Sequence, residues 1–122
     1  MIGFAQHEVP VAIDGDGVQL RKQPIGGDMT VAFVRGRKGV DLRPPLKGLP
    51  EDRCQCPHWG YVIRGTVRMH TSSGHEDYTA GQAFYWGPGH APEFVEDAEY
   101  VDFSPTAAFD AVIAHITSQS AG

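Results

Sequence analysis

Along most of the chain, apolar and polar side chains alternate with a period of two, in runs short enough to be β-strands. Residues 8–13 read as a strand carrying an early proline, hence an edge strand. Asp14-Gly-Asp-Gly17 is a turn, and residues 18–22 are the return strand. Pro24–Gly27 marks a second turn. In the longer strand from Met29 to Arg35, Val31, Phe33 and Arg35 alternate with Thr30, Ala32 and Val34. A proline-rich loop covers residues 43–50, and further strands are expected at 54–64, 66–71, 75–79, 83–86, 91–96 and 99–103. The period changes only at the end. Phe109, Val112, Ile113 and Ile116 recur at helical spacing, so residues 105–118 are predicted to form one amphipathic helix packed on the outside of a sheet. Ser104 is the expected N-cap and Pro105 the first helical residue. Many short strands with turns between them, then one helix, predict an all-β sandwich or barrel.

Composition narrows the function classes. The chain has 122 residues, 41% of them hydrophobic and 20% charged, which suits one globular domain with a real core. A net charge of −5 with no basic stripe argues against a nucleic-acid partner. No apolar run approaches the ~20 residues of a membrane-spanning helix. The N-terminus lacks a charged start followed by an apolar block, so no secretory signal is expected and the predicted location is the cytosol. Asp14-Gly-Asp-Gly17 lacks the further acidic positions and closing glutamate of a calcium loop.

The chemistry concentrates in Cys54-Gln-Cys-Pro-His-Trp-Gly-Tyr-Val-Ile-Arg-Gly65, which holds both cysteines. Cys54, Cys56 and His58 are spaced by two, so in a strand they share one face. Thiol and imidazole are donors for zinc or iron. In a straight strand Cys54 and His58 stand ~13 Å apart between Cα atoms, so one ion reaches all three only if the strand bends, and Pro57 and Gly60 would permit that. If it stays straight, two neighbours bind and the third lines the pocket. A second stretch, Ala80-Gly-Gln-Ala-Phe-Tyr-Trp-Gly-Pro-Gly-His-Ala-Pro92, places His90 directly after a tight turn, with Glu93 just beyond.

Together these stretches resemble the two motifs of the cupin family over roughly residues 50–104. Gly65 matches the closing glycine of the first motif, and Gly81 and Gly89 match the two glycines of the second. His58 stands at the glutamate position, Cys54 at that of the second histidine and Asp52 at that of the first. Cys56 has no counterpart. Gly87 replaces the motif proline, with Pro88 following it. The motif histidine would fall at Pro92, and His90 lies two residues earlier with the same strand parity. The resemblance implies a jelly-roll barrel spanning residues 1–122, with N-terminal strands at 8–35, the cupin core at about 50–104 and one C-terminal helix. Together with the donor types and shared strand face of Cys54, Cys56 and His58, it predicts a divalent transition metal, zinc first and iron as the alternative, held by Cys54, Cys56, His58 and His90 or by three of them. It also implies a small organic ligand in the barrel mouth and a homodimer built through the N-terminal strands.

Glu93 is the expected proton-transfer residue, or a partner of a metal ligand. His7, His70, His75 and His115 read as structural or solvated. Trp59, Tyr61, Phe84, Tyr85 and Trp86 are divided between core and cavity wall. Cupin chemistries are diverse, and fold does not choose among them. The expectation is a metal-dependent cupin with an open, three-ligand site. The rivals are a non-catalytic ligand-binding or sensor cupin with a structural metal, and a metal-free cupin whose thiols act in redox chemistry.

Overall fold

The computed structural model describes residues 1–121. Nine strands, β1 (Val11–Gly15), β2 (Val18–Gly26), β3 (Met29–Gly36), β4 (His58–Arg64), β5 (Thr66–Thr71), β6 (Gly74–Thr79), β7 (Ala83–Trp86), β8 (Ala91–Phe94) and β9 (Ala98–Pro105), precede one helix, α1 (Thr106–Ala121). All pairings between these strands are antiparallel. The larger sheet has the order β1-β2-β3-β9-β4-β7 and the smaller the order β6-β5-β8. The predicted all-β jelly roll with a C-terminal helix is the architecture observed.

Alternation within the strands builds the interior. Ala32 and Val34 of β3, Val62 of β4, Trp86 of β7, Val67 and Met69 of β5, Phe94 of β8 and Tyr100 of β9 are buried in one continuous core between the two sheets. The N-terminal hairpins close with paired left-handed residues, Asp16-Gly17 and Gly27-Asp28. This is the backbone twist that two-residue hairpins demand. Gly65 links β4 to β5 at φ +74, where a Cβ would lie 2.1 Å from the Asp97 carbonyl oxygen. Gly65→Ala is therefore expected to cost about 3 kcal/mol, combining left-handed strain with a backbone clash, measured by chemical denaturation.

Three local expectations need correction. The first strand begins at Val11, because residues 6–8 form a short 3-10 turn instead. Pro24 lies inside β2 opposite Thr30, tolerated because the register slips between Pro24 and Gly26. Ser104 and Pro105 belong to β9, so Ser104 is not a helix cap.

The helix also sits elsewhere than predicted. Phe109, Val112 and Ile116 line a cavity together with Leu20, Val34 and Tyr100, all residues of the barrel interior. The helix thus closes the open end of the barrel and does not lie on the outside of a sheet. Its seat is fixed by a Thr30–Thr106 hydroxyl bond of 2.8 Å, a Lys22–Asp110 ion pair of 2.9 Å and a 2.8 Å contact from His115 Nε2 to the Lys47 carbonyl.

Candidate metal centre

The strand bends where a bend was needed. Residues 54–57 leave the ladder, and regular β4 pairing starts only at His58. Cys54 instead forms an isolated bridge with His90. Its N–H donates to the His90 carbonyl at 2.8 Å, while the Gly89 and His90 N–H groups donate to the Cys54 carbonyl at 2.8 and 3.2 Å. The turn at Gly87–Gly89 thereby delivers His90 to the face already occupied by His58.

The ligating atoms of Cys54, His58 and His90 all lie within 4.8 Å of one another, and all three residues are buried. Cys54 Sγ is 3.7 Å from His58 Nε2. Sulfur and nitrogen bound to one tetrahedral zinc at ~2.3 and ~2.0–2.1 Å would be about 3.6 Å apart. The donor types and their spacing fit a transition metal.

Both imidazoles are oriented for that task. His90 Nδ1 donates to the Gly87 carbonyl at 2.5 Å, which leaves Nε2 with its lone pair free. His58 Nδ1 is 2.6 Å from Ser104 Oγ and 3.7 Å from Asp102 Oδ2, so its Nε2 faces Cys54. Outer partners of this kind fix tautomer and ring plane in metal sites. Burial, with His90 alongside, lowers the His58 pKa to about 3. Burial also lowers that of His90, against the pull of the Gly87 carbonyl. Both rings are therefore neutral at ordinary pH, the form that coordinates.

The acids shift the opposite way. Burial pushes the Cys54 thiol up to about 11, with Asp102 adding to the shift. Burial and the neighbouring Cys54 push Cys56 up to about 12. Asp102 is raised by burial to about 8 against its bond to Ser104. Each group is held in its neutral form by apolar surroundings. A divalent cation would reverse that balance for Cys54. Thiols that stay protonated are poor nucleophiles, which counts against the redox reading of this pair.

The remaining predicted site residues lie elsewhere. Cys56 is buried but does not join the three converging donors, and its Sγ points to the Pro57 carbonyl at 3.5 Å. The same bend that joins Cys54 to His58 removes Cys56 from their shared face. Asp52 Oδ1 accepts from the Gly48 N–H at 2.9 Å outside the cluster. Glu93 follows Pro92, which lines the cavity, so its side chain emerges on the opposite face of β8. There it bonds His70 Nε2 at 2.8 Å and lies 3.8 Å from Arg43. Glu93 is thus not brought to the metal cluster.

Sequence reasoning missed Asp102 and Ser104. The part of the signal legible in the chain is that Tyr100, Asp102 and Ser104 share one strand face; the structure adds that the Asp102 carboxyl is 2% exposed among core residues, which makes it a candidate site group. Asp102 Oδ1 and Trp86 Nε1 are both buried without a hydrogen-bond partner, and both residues line the cavity beside the cluster. Its volume is about 60 Å³.

With the fold and the site in hand, comparison with known proteins gives a consistent class. No family model matches the chain, and no curated protein matches it. Among solved structures, KdgF from Halomonas sp. is similar at 23% identity and TM-score 0.61, covering 84% of this chain and 91% of that one. An RmlC-like cupin from Shewanella frigidimarina matches at 15% identity and TM-score 0.60, over 84% and 88% of the two chains. The polyketide cyclase RemF from Streptomyces resistomycificus matches at 13% identity and TM-score 0.64, over 87% and 80%. The fold is that of the cupin superfamily.

Proposed function

We propose that this protein is a metal-binding cupin in which Cys54, His58 and His90 hold one divalent transition metal, zinc in the first instance, beside a cavity that takes a small molecule. The observation that carries the reading is the convergence of three buried donors with both imidazole Nδ1 atoms already engaged. Three protein donors, in place of the four of a closed structural site, suit an open site. Bound there, the ion would supply Lewis acidity. The chain's own residues supply the rest. Ser104 and Asp102 fix the His58 ring. Trp86 Nε1 offers a donor, and Asp102 Oδ1 offers a position able to accept or hold a proton. The apolar wall of Leu20, Val34, Phe109 and Val112 excludes water. Asp102 replaces Glu93 as the candidate proton-transfer residue. The free cysteines suit the reducing cytosol, and no helix is long and apolar enough to cross a membrane among the described residues.

A cavity of about 60 Å³ is well below the ~300–1,000 Å³ usual for organic ligands. It admits a molecule of a few heavy atoms while α1 is seated, and a larger one only if α1 moves. This closure is the observation that favours the rival reading of a structural metal.

Elemental analysis of protein purified without added metal should find close to one metal per chain. Cys54→Ser should lose most of it, while Cys56→Ser should retain it. Metal-free, folded wild-type protein, or equal loss in both variants, would overturn the ligand assignment. Retained metal with no binding of small carboxylates or alcohols, followed through Trp86 fluorescence, would favour the structural role.

A further inference from the structure

Two histidines outside the buried centre face each other. His70 of β5 and His75 of β6 are register partners, on the side of the smaller sheet opposite the buried Met69. Directly opposed residues on one face bring their Cβ atoms to within ~4.5–5.5 Å. The two rings stand 5.7 Å apart between centroids, with planes at 60°. In the buried centre, the rings of His58 and His90 stand 4.9 Å apart. Two imidazoles bound to one tetrahedral zinc at ~2.0–2.1 Å would have centroids about 5 Å apart. The outer pair is therefore a small side-chain rotation from sharing one ion. Neither ring is locked in the core, since His75 is exposed and the His70 side chain is 18% exposed.

The ring nitrogens are disposed for coordination. His70 Nε2 donates to Glu93 Oε1 at 2.8 Å. In the neutral ring that bond leaves the lone pair on Nδ1. A carboxylate behind an imidazole is an outer partner of the kind that orients histidine ligands in metal sites. Glu93 belongs to β8 and His75 to β6, the strands on either side of β5, so carboxylate and second ring approach His70 from opposite flanks. The His75 side chain makes no hydrogen bond among the described residues, so both its nitrogens are uncommitted. Both rings line one open concavity of about 590 Å³, with room for water to complete a coordination shell. Charge around the pair favours a cation. Asp41 pairs with Arg43 and Asp77 with Arg68, and Glu93 makes a third carboxylate against two guanidiniums. Further round the concavity Lys47 and Arg53 are offset by Glu51 and Asp52.

We infer that His70 and His75 form a second, exchangeable transition-metal site, in which two imidazoles and water hold one divalent ion and Glu93 orients the His70 ring. Imidazole donors without thiolate suit zinc, nickel and copper(II). Two protein donors hold an ion less tightly than three, so this one is lost during purification and the content of the purified protein stays near one metal per chain. The inference does not depend on metal binding by Cys54, His58 and His90.

Isothermal titration of the full chain with zinc tests this. Wild type equilibrated with zinc and freed of excess ion by gel filtration should show one further, weaker event with a stoichiometry near one. His75→Gln should weaken that event by about a hundredfold, no less than loss of an outer partner costs in metal sites. His7→Gln, which removes a single exposed imidazole, should leave it unchanged. Cys54→Ser, which removes a donor of the buried centre, should leave it unchanged as well. A second measurement needs no variant: on adding the second equivalent of zinc, the imidazole carbon–proton signals of His70 and His75 should be the ones that move. The absence of a further event in the wild type overturns the inference. So does an event that survives His75→Gln or disappears in Cys54→Ser, or zinc-induced movement confined to the His7 or His115 signals.

Discussion

Phe109→Ala will destabilise the protein by about 4 kcal/mol, within the range for emptying a buried aromatic position. Phe109 is 4% exposed and stands edge-on to His58, with ring centroids 5.8 Å apart and planes at 90°. It lines the cavity and touches the His58 ring, so truncation removes core packing and one wall of the cavity together. The neighbouring helix residues Val112 and Ile116 line the same cavity and cannot both stay packed and fill the gap. Ala114→Gln, on the exposed side of α1, should change stability by no more than about 0.5 kcal/mol. Urea denaturation of both variants measures the contrast. Equal, small effects would show that α1 is not seated in the barrel mouth. A second consequence separates cavity wall from remote core: the enlarged cavity in Phe109→Ala should admit larger alcohols than the wild type does, seen as a Trp86 fluorescence change.

The contrast between strand and helix shows what could be read from the chain. Period-two alternation placed the strands near β3, β5 and β7, cleanly in β7, which buries Phe84 and Trp86 and exposes Ala83 and Tyr85, and less so in β3, where Thr30, Val31 and Ala32 are all buried. It failed at residues 54–57, where backbone pairing with His90 overrides the pattern. That pairing is between segments some thirty-five residues apart, so no local signal encodes it. The bend was foreseeable from Pro57, but which cysteine it would leave at the site was not. Ser104 shows a different limit. A serine before Pro-Thr at a helix start is a good local N-cap, yet bonding to His58 holds it in β9 as a fully buried strand residue. The helix periodicity was legible from Phe109, Val112 and Ile116, but the spacing identifies a buried stripe without naming what covers it. The end of a barrel and the outside of a sheet ask for the same stripe.

Chelated protein should lose stability steeply as pH rises above 9, and metal should remove much of that loss. Cys54 has a folded-state pKa of about 11 against an ordinary 9.0, so the unfolded chain gives up its proton first. Stability from this group is fully present below pH 9 and is lost as pH rises through 11. A shift of this size corresponds to about 3 kcal/mol. Cys56, raised from 9.0 to about 12, acts in the same direction over a wider window. Asp102, raised from 3.8 to about 8, has already lost its contribution by then, since that loss runs through pH 8. His58 acts on the acid side, because lowering from 6.5 to about 3 makes the folded state resist protonation, so stability falls as pH drops below 6.5. Between pH 4 and 6.5 His58 and Asp102 oppose each other, which leaves the alkaline limb as the clean measurement. Coordination requires the Cys54 thiolate, so in the metal-bound protein the folded state no longer holds that proton and the Cys54 part of the alkaline loss disappears. Cys56 keeps its share in both forms if it is not a ligand. Denaturation midpoints at pH 8, 9 and 10, with and without one equivalent of zinc, separate the two thiols: Cys54→Ser should make the two pH profiles parallel, and Cys56→Ser should flatten both while preserving the difference between them. Parallel profiles in the wild type would show that Cys54 binds no metal.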